Sequence, residues 1–582
     1  MCQQSVPLDA PSAPPIDAPS PLALPLSATG QQFLILILIF GAIAPTLLWP
    51  EFTGGMENVS VATALETARD GHWLVPTLHG QPRVKKPPIA HWLGALGILS
   101  SQSLAWGVRW PTLVCACIFL LSVYHLAGII GGRQIALASA LICGSNFLFL
   151  RYARQASYDI PLAMWVGIAN VFLAKAVFQQ QWWGGCIGAA VAIGLAILTK
   201  GPIALIQTAI PFALCYLFYR DHQPSSSLSL CGREGVRVSS NTKRLHAPLL
   251  PILVALALLL AIALPWYLYL LAKVPGVWDA WLGEATMRNE IATERRAPWY
   301  HYLQFIPMMA PWTVWLVVGL IALLVDNPYR HNRRIRLALV LVVVPIFIMS
   351  FFWVKRNRYL LPMLAPASIL AAWGLMVHLP GWLRSKATDR VLVSVHWVFV
   401  LGMVIGLAVA GSLGRGTLTT ADGRPWYSPS AAVAFAVPGV LLIIFSAILY
   451  RRWAGSLVAG TTLVMLLLQI VFMWGYSLSP DARSEGRILA QRILAVHPDA
   501  RIYSYHPLGK DGPLEMPIYL NRAITRVDSP SGITPAGQEP QVILVAVRQT
   551  LPVPPPNSRY VADATIGGTR WYAYELLRLP NP

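Results

Sequence analysis

The feature that most constrains this chain is a succession of apolar runs, each close to the length a helix needs to cross a bilayer. A helix covers the hydrocarbon core with about 20 apolar residues. Such runs fall at 31–50, 108–130, 134–150, 160–178, 183–199, 201–219, 248–271, 306–325, 335–353, 359–379, 391–413, 431–450 and 455–477, several of them interrupted by Gly or Pro. This pattern predicts a mainly α fold, a polytopic transmembrane helical bundle of about 13 spans.

Composition supports lipid as the solvent. Hydrophobic residues make up 55% of the chain and charged residues 12%, against about 25% charged in soluble domains. The net charge is +19, which in a soluble protein would suggest nucleic acid. Here the basic residues gather in short loops between apolar runs, and no zinc-finger, helix-turn-helix or RNP-like signature is present. Membrane lipid is therefore the expected partner, and no nucleic acid. Of the 7 cysteines, Cys115, Cys117, Cys143, Cys186 and Cys215 lie inside apolar runs, so neither a disulfide framework nor a Cys-based metal site is expected. Residues 1–30 are rich in Pro, Ser and Ala without Lys or Arg. They read as a disordered cytoplasmic tail, with Phe33–Trp49 a retained first span rather than a signal peptide.

The positive-inside rule orients the spans. Alternate loops hold Arg133; Arg220, Arg233, Arg237, Lys243 and Arg244; Arg330, Arg333, Arg334 and Arg336; Arg384, Lys386 and Arg390; Arg451 and Arg452. That side is assigned to the cytoplasm, which places residues 478–582 outside. The opposite side should be poor in cations, yet it carries Arg83, Lys85 and Lys86, Arg151 and Arg154, Lys200, Lys273, Arg288, Arg295 and Arg296, then Lys355, Arg356 and Arg358. Solvated loop charge balanced by acids is one explanation. A basic site for an anionic ligand such as a lipid phosphate is the other, and its repetition over many separate loops favours it.

Two outer loops, 51–107 and 272–305, contain amphipathic stretches expected to lie along the interface, among them Val59–Arg69 closed by Gly71. After residue 477 a small α/β domain is expected. Glu485–Val496 reads as a helix, and Arg501–Tyr505, Val542–Val547, Tyr560–Asp563 and Trp571–Leu577 read as strands. The domain has no Gly-rich phosphate loop.

Several motifs recur in a fixed order. The first loop closes with Gly71, Trp73, Val75, Pro76, Leu78, Gly80 and Pro82, then Lys86-Pro87-Pro88 and Trp92. Tyr158-Asp159 opens a span after Arg154, and Leu198-Thr199-Lys200-Gly201-Pro202 forms a turn. Pro265-Trp266-Tyr267 leads into a loop ending near Pro311-Trp312, and Lys355 precedes Tyr359-Leu360-Leu361-Pro362. Over residues 31–370 this set resembles the GT-C membrane glycosyltransferases related to the lipid A aminoarabinose transferase and the protein O-mannosyltransferases.

The resemblance implies a GT-C bundle over residues 31–477 in the cell inner membrane, with active site and C-terminal domain extracytoplasmic. It implies a glycosyltransferase (hexosyl or pentosyl) that takes a sugar from a polyprenyl-phosphate carrier and gives it to a lipid, glycan or protein acceptor. The leaving phosphate needs cations, and the acceptor hydroxyl needs a carboxylate. The phosphate-binding candidates are Arg83, Lys85, Lys86, Lys200, Lys355, Arg358 and Tyr359; the catalytic candidates are Glu57 and Asp159. The chain departs from the family pattern at Met56, which stands where an acid precedes Glu57, and at Lys85, which replaces the acid before Lys-Pro-Pro. No cofactor is firmly implied; the resemblance leaves a divalent metal open, with its usual ligand pattern altered. A transporter or flippase, or a non-catalytic binder of a lipid-linked substrate, is the alternative reading.

Overall fold

The structure is a computed structural model that describes residues 26–52, 55–220, 248–286, 297–324, 333–377, 386–414, 424–450, 455–479, 482–505, 515–527, 529, 540–547, 554–555, 557–566 and 569–577. Most of the proposed N-terminal tail lies outside these residues. So do Arg233, Arg237, Lys243, Arg244, Arg288, Arg295, Arg296, Arg330, Arg384, Arg451 and Arg452 of the charged loops.

Each of the apolar runs is helical over most of its length. Among the described residues eight helices are long and apolar enough to cross a membrane, or up to nine if the bent pair Trp299–Met308 and Thr313–Leu324 counts as one span. The lower figure has local causes. Runs 108–130 and 134–150 merge into one 41-residue helix, Leu104–Gly144, broken at Gly132, where φ is 83°. A straight helix of that length would extend about 60 Å, roughly twice the hydrocarbon thickness. The break at Gly132 therefore divides it into a longer and a shorter helical segment. Run 201–219 is divided at Thr208 into Ile203–Gln207 and Ala209–Arg220. Run 359–379 begins as the 3-10 helix Asn357–Met363 before Leu364–Val377.

One contiguous core joins the first span, both halves of Leu104–Gly144, and the spans that follow Pro311. Backbones approach closely where glycines face each other. A Cβ on Gly319 would lie 2.3 Å from the Leu370 carbonyl oxygen, and one on Gly374 would lie 2.5 Å from that of Trp315. With no hydrophobic drive between helices in lipid, such small-residue contacts supply the packing.

The first-loop helix forms over Gly55–Asp70 and ends at Gly71, whose φ is +75°. It does not lie bare on the interface. Residues 58–67 are buried throughout, because the helix is roofed by the C-terminal domain and floored by Ile89–Leu99 and the start of Leu104–Gly144. The second loop keeps an interfacial character. In Val277–Ala285, Val277 is buried while Trp278 is 65% exposed, and Trp299, Tyr300 and Leu303 are also exposed.

The C-terminal region folds as a helix, Glu485–Val496, over a five-stranded mixed sheet of order β4-β3-β5-β7-β6. Its strands are β3 (Arg501–Tyr505), β4 (Ile524–Val527), β5 (Gln541–Val547), β6 (Ser558–Ile566) and β7 (Thr569–Leu576). Strand β4 and the short helix Met516–Leu520 were not foreseen. Each is too short for its periodicity to be read.

Candidate active site

Consecutive spans Asp159–Gln179 and Trp182–Lys200 form a hairpin, so the first residue of one meets the last of the other. Asp159 sits where the helix dipole favours an acid, and Lys200 where it favours a cation. Gly201, at φ +93°, ends the second helix and lets the chain turn away. The two side chains form a buried ion pair, Lys200 Nζ donating to Asp159 Oδ1. The same ammonium lies 4.6 Å from the centroid of the Tyr359 ring. It is also within electrostatic reach of Arg358 and Lys86.

Glu57 projects from the first turn of Gly55–Asp70. Its Oε1 accepts from Arg109 Nε at 2.8 Å and from the Ala156 N–H at 3.0 Å, and its Oε2 accepts from Arg109 Nη2 at 3.2 Å. Arg109 is fully buried, and its Nη1 also donates to the carbonyls of Leu47 and Pro50, at 2.6 and 2.9 Å. A buried cation of this kind survives only when fully partnered.

Glu57 and Asp159 border a cavity of about 280 Å³, lined also by Glu51, the cations Arg151, Arg154 and Arg358, and Met56, Tyr152 and Tyr476 among others; Lys200, Tyr359 and Arg109 stand behind this lining. Neither Arg151, Arg154 nor Arg358 forms an ion pair with a described carboxylate. Burial pushes the Arg154 guanidinium down to about 10, against the pull of Glu57, so it remains cationic at neutral pH. Arg151, Tyr152 and Arg358 also line a second cavity of about 370 Å³, whose remaining wall is Phe147, Leu148, Met308, Arg356 and Asn357. Among the described residues, that second cavity has no acid in its lining. Positive charge beside apolar surface is the environment a lipid phosphate requires.

The remaining candidates are placed differently. Lys86 pairs with Glu284 on the second-loop helix. Its Pro87-Pro88 neighbours lead into the helix Ile89–Leu99. Lys85 is exposed, and Arg83 is half-buried beside the β1–β2 hairpin (Thr77–Leu78, Gln81–Pro82); neither lines the two cavities. The Lys355 ammonium donates to the backbone oxygens of Ala297 and Phe352 at 3.0 and 2.8 Å. Its side chain is buried, and it lines neither of the two cavities.

Four residues outside the candidate set shape the site. Arg109 reads in sequence as one cation inside an apolar run; an intramembrane ionisable residue was the available signal. Arg151 and Arg154 were visible as misplaced positive charge but not separable from their neighbours. Glu66 is 1% exposed and braces the hairpin that delivers Lys86, accepting from Thr77 Oγ1 at 2.7 Å and from the N–H groups of His79 and Gly80 at 2.7 and 3.2 Å. Indole N–H groups pin the same loop. Trp92, Trp266 and Trp281 donate to the carbonyls of Trp73, Leu74 and Val84 at 2.6, 2.9 and 2.9 Å.

The bundle, its first-loop helix and the polar cavity at one rim have the GT-C fold of membrane glycosyltransferases. Residues 85–230 match the family model for dolichyl-phosphate-mannose-protein mannosyltransferase. The structure is similar to ArnT from Cupriavidus metallidurans bound to undecaprenyl phosphate, with a TM-score of 0.72 and 17% identity, covering 95% of this chain and 100% of that one. In sequence the chain is 27% identical over 362 residues to undecaprenyl phosphate-alpha-4-amino-4-deoxy-L-arabinose arabinosyl transferase 1 of Sodalis glossinidius. That match covers 60% of this chain and 59% of the relative's length. It is 25% identical to the corresponding transferase of Pectobacterium atrosepticum, over 77% of this chain and 74% of that one.

Proposed function

We propose that the protein is an inner-membrane glycosyltransferase that moves a sugar from a polyprenyl-phosphate carrier to a lipid, glycan or protein acceptor at the extracytoplasmic rim. The observation that carries this reading is the pair of adjoining cavities sharing Arg151, Tyr152 and Arg358, one mixed in charge and one cationic and apolar. The names of the similar proteins, which act on or bind undecaprenyl phosphate compounds, support the same donor class.

The chemistry follows from the placement. As the glycosidic bond to phosphate breaks, negative charge grows on the leaving group, and Arg358 and Arg151, which line both cavities, are the cations placed to neutralise it, with Lys200 behind them on Asp159. Asp159 is the acid better placed to take the acceptor proton, because it borders the cavity and its partner is one ammonium. The Glu57 carboxylate is fixed by a guanidinium and a backbone N–H, which favours a role in holding shape and field over one in proton transfer. An apolar groove of about 430 Å³ between Leu303, Phe305, Leu320, Val343 and Phe347 suits a polyprenyl tail. The usual ligand pattern for a divalent metal is altered in this chain. An ammonium, Lys85, stands where the family places an acid, and no three His, Cys, Asp or Glu side chains converge among the described residues. No step is therefore assigned to a metal.

Met56 on the cavity wall favours one rival, a non-catalytic binder of lipid-linked substrate. Mass spectrometry of lipid and glycan extracts from cells with and without the protein decides between them. A sugar-modified species present only with the protein supports transfer. Identical extracts, with undecaprenyl phosphate still bound by the purified protein, support the binder.

A further inference from the structure

The C-terminal sheet domain makes its contacts with the bundle at the segment that forms the cavity wall. Pro50, Glu51, Met56 and Glu57 all line the cavity. Within that stretch, Glu51 is held from above on both carboxylate oxygens. Its Oε1 accepts from Arg487 Nη1 at 2.6 Å and its Oε2 from the Ser484 N–H at 2.8 Å. The Glu51 N–H donates in turn to the Ala482 carbonyl at 2.9 Å. One residue on, the Phe52 N–H donates to the Tyr519 hydroxyl at 2.9 Å.

Apolar packing extends the same contact. Ile518 belongs to one buried cluster with Phe52, Val59, Val61, Ala62 and Val108, with Tyr519 packed against it. The helix Met516–Leu520 thus shares a core with the first-loop helix rather than only with its own sheet. From below, Arg109 ties the segment down through Leu47 and Pro50 and stacks 4.6 Å from the Phe52 ring centroid. The wall is gripped between a buried arginine of the bundle and the first turn of the helix Glu485–Val496.

We propose that Glu51 is a positioning residue, clamped by Ser484 and Arg487, through which the C-terminal domain fixes the first-loop helix and sets where Met56 and Glu57 stand in the cavity. The domain is then a working part of the substrate site. Only the kinetic arm of its test rests on the transferase reading.

The test uses the full-length protein in lipid nanodiscs. Hydrogen–deuterium exchange is followed over residues 56–66 and over β3 and β5, alongside turnover of an undecaprenyl-phosphate-linked sugar. Arg487→Ala and Tyr519→Phe should each speed exchange over 56–66 by about three- to tenfold, the worth of a partly exposed charged or hydroxyl hydrogen bond. The strands should keep their protection. Turnover should fall by a similar factor while KM for the donor holds, and Arg487→Lys should restore both. Unchanged exchange over 56–66 in both variants would overturn the proposal, as would equal loss of protection in β3 and β5, which marks unfolding of the domain rather than release of a clamp. If the unmodified protein transfers no sugar, the transferase reading fails and the exchange arm alone decides the clamp.

Discussion

Lys200 and Asp159 form a buried ion pair across a helical hairpin, each at the helix end whose dipole favours its charge. The pair is matched in charge, and its acid still borders the mixed cavity. In this resting arrangement the ammonium holds the carboxylate in place at the cavity edge. Arrival of a lipid phosphate beside Tyr359 would compete for the ammonium and free the carboxylate toward the acceptor.

Arg109 should be the most costly cation to remove for stability. Arg109→Ala leaves Glu57 facing Ala156 alone and strands the carbonyls of Leu47 and Pro50. Breaking a buried pair in this way costs about 3–5 kcal/mol. Thermal unfolding in detergent should show a large drop, with the double variant Arg109→Met/Glu57→Gln recovering part of it.

Arg154 and Arg358 should govern binding more than folding. Replacing either with Ala removes a guanidinium that has no described carboxylate to leave unpaired. Undecaprenyl phosphate affinity should fall by about tenfold or more for each, the range for hydrogen bonds to charged groups. Lys355→Met, by contrast, should lower stability and leave affinity per folded molecule unchanged, as read by lipid-binding titration.

The glycine contact between spans should be intolerant of a single methyl. Gly319→Ala places a Cβ 2.3 Å from the Leu370 oxygen, and overpacking costs about 1–3 kcal/mol. Gly402→Ala, where nothing lies within 4 Å, serves as the control and should unfold as the parent does.

Glu515 should give the C-terminal contact a pH dependence. It is buried against Ser484 and Gly486, and burial raises its pKa above the ordinary 4.5. An acid raised in the folded state binds its proton more tightly there. Its contribution is therefore intact below the unfolded value and lost as pH rises from about 4.5 through the folded value. Comparing stability against pH for the parent and Glu515→Gln should show that slope only in the parent.

Much of this was legible in the sequence. The apolar runs located the helices, because lipid forces every backbone group into internal hydrogen bonds. Misplaced positive charge located the rim where Arg151, Arg154, Lys200 and Arg358 meet. The helix Glu485–Val496 and strand β3 form over the very residues their patterning marked. What could not be read was pairing over long separations. Nothing local to Lys86 names Glu284, and nothing in Glu57 names Arg109. Nothing local to Lys355 names the Ala297 carbonyl beside it. The docking of Tyr519 on Phe52 joins residues 467 positions apart, a contact that no window of sequence contains.

The most direct measurement compares the purified protein with its Asp159→Asn variant, reading sugar transfer from an undecaprenyl-phosphate donor and binding of undecaprenyl phosphate in parallel. Loss of a general base lowers turnover by about 10²–10⁴-fold, and the account predicts that loss with binding kept within a few fold. Transfer at the parent rate in Asp159→Asn would contradict it.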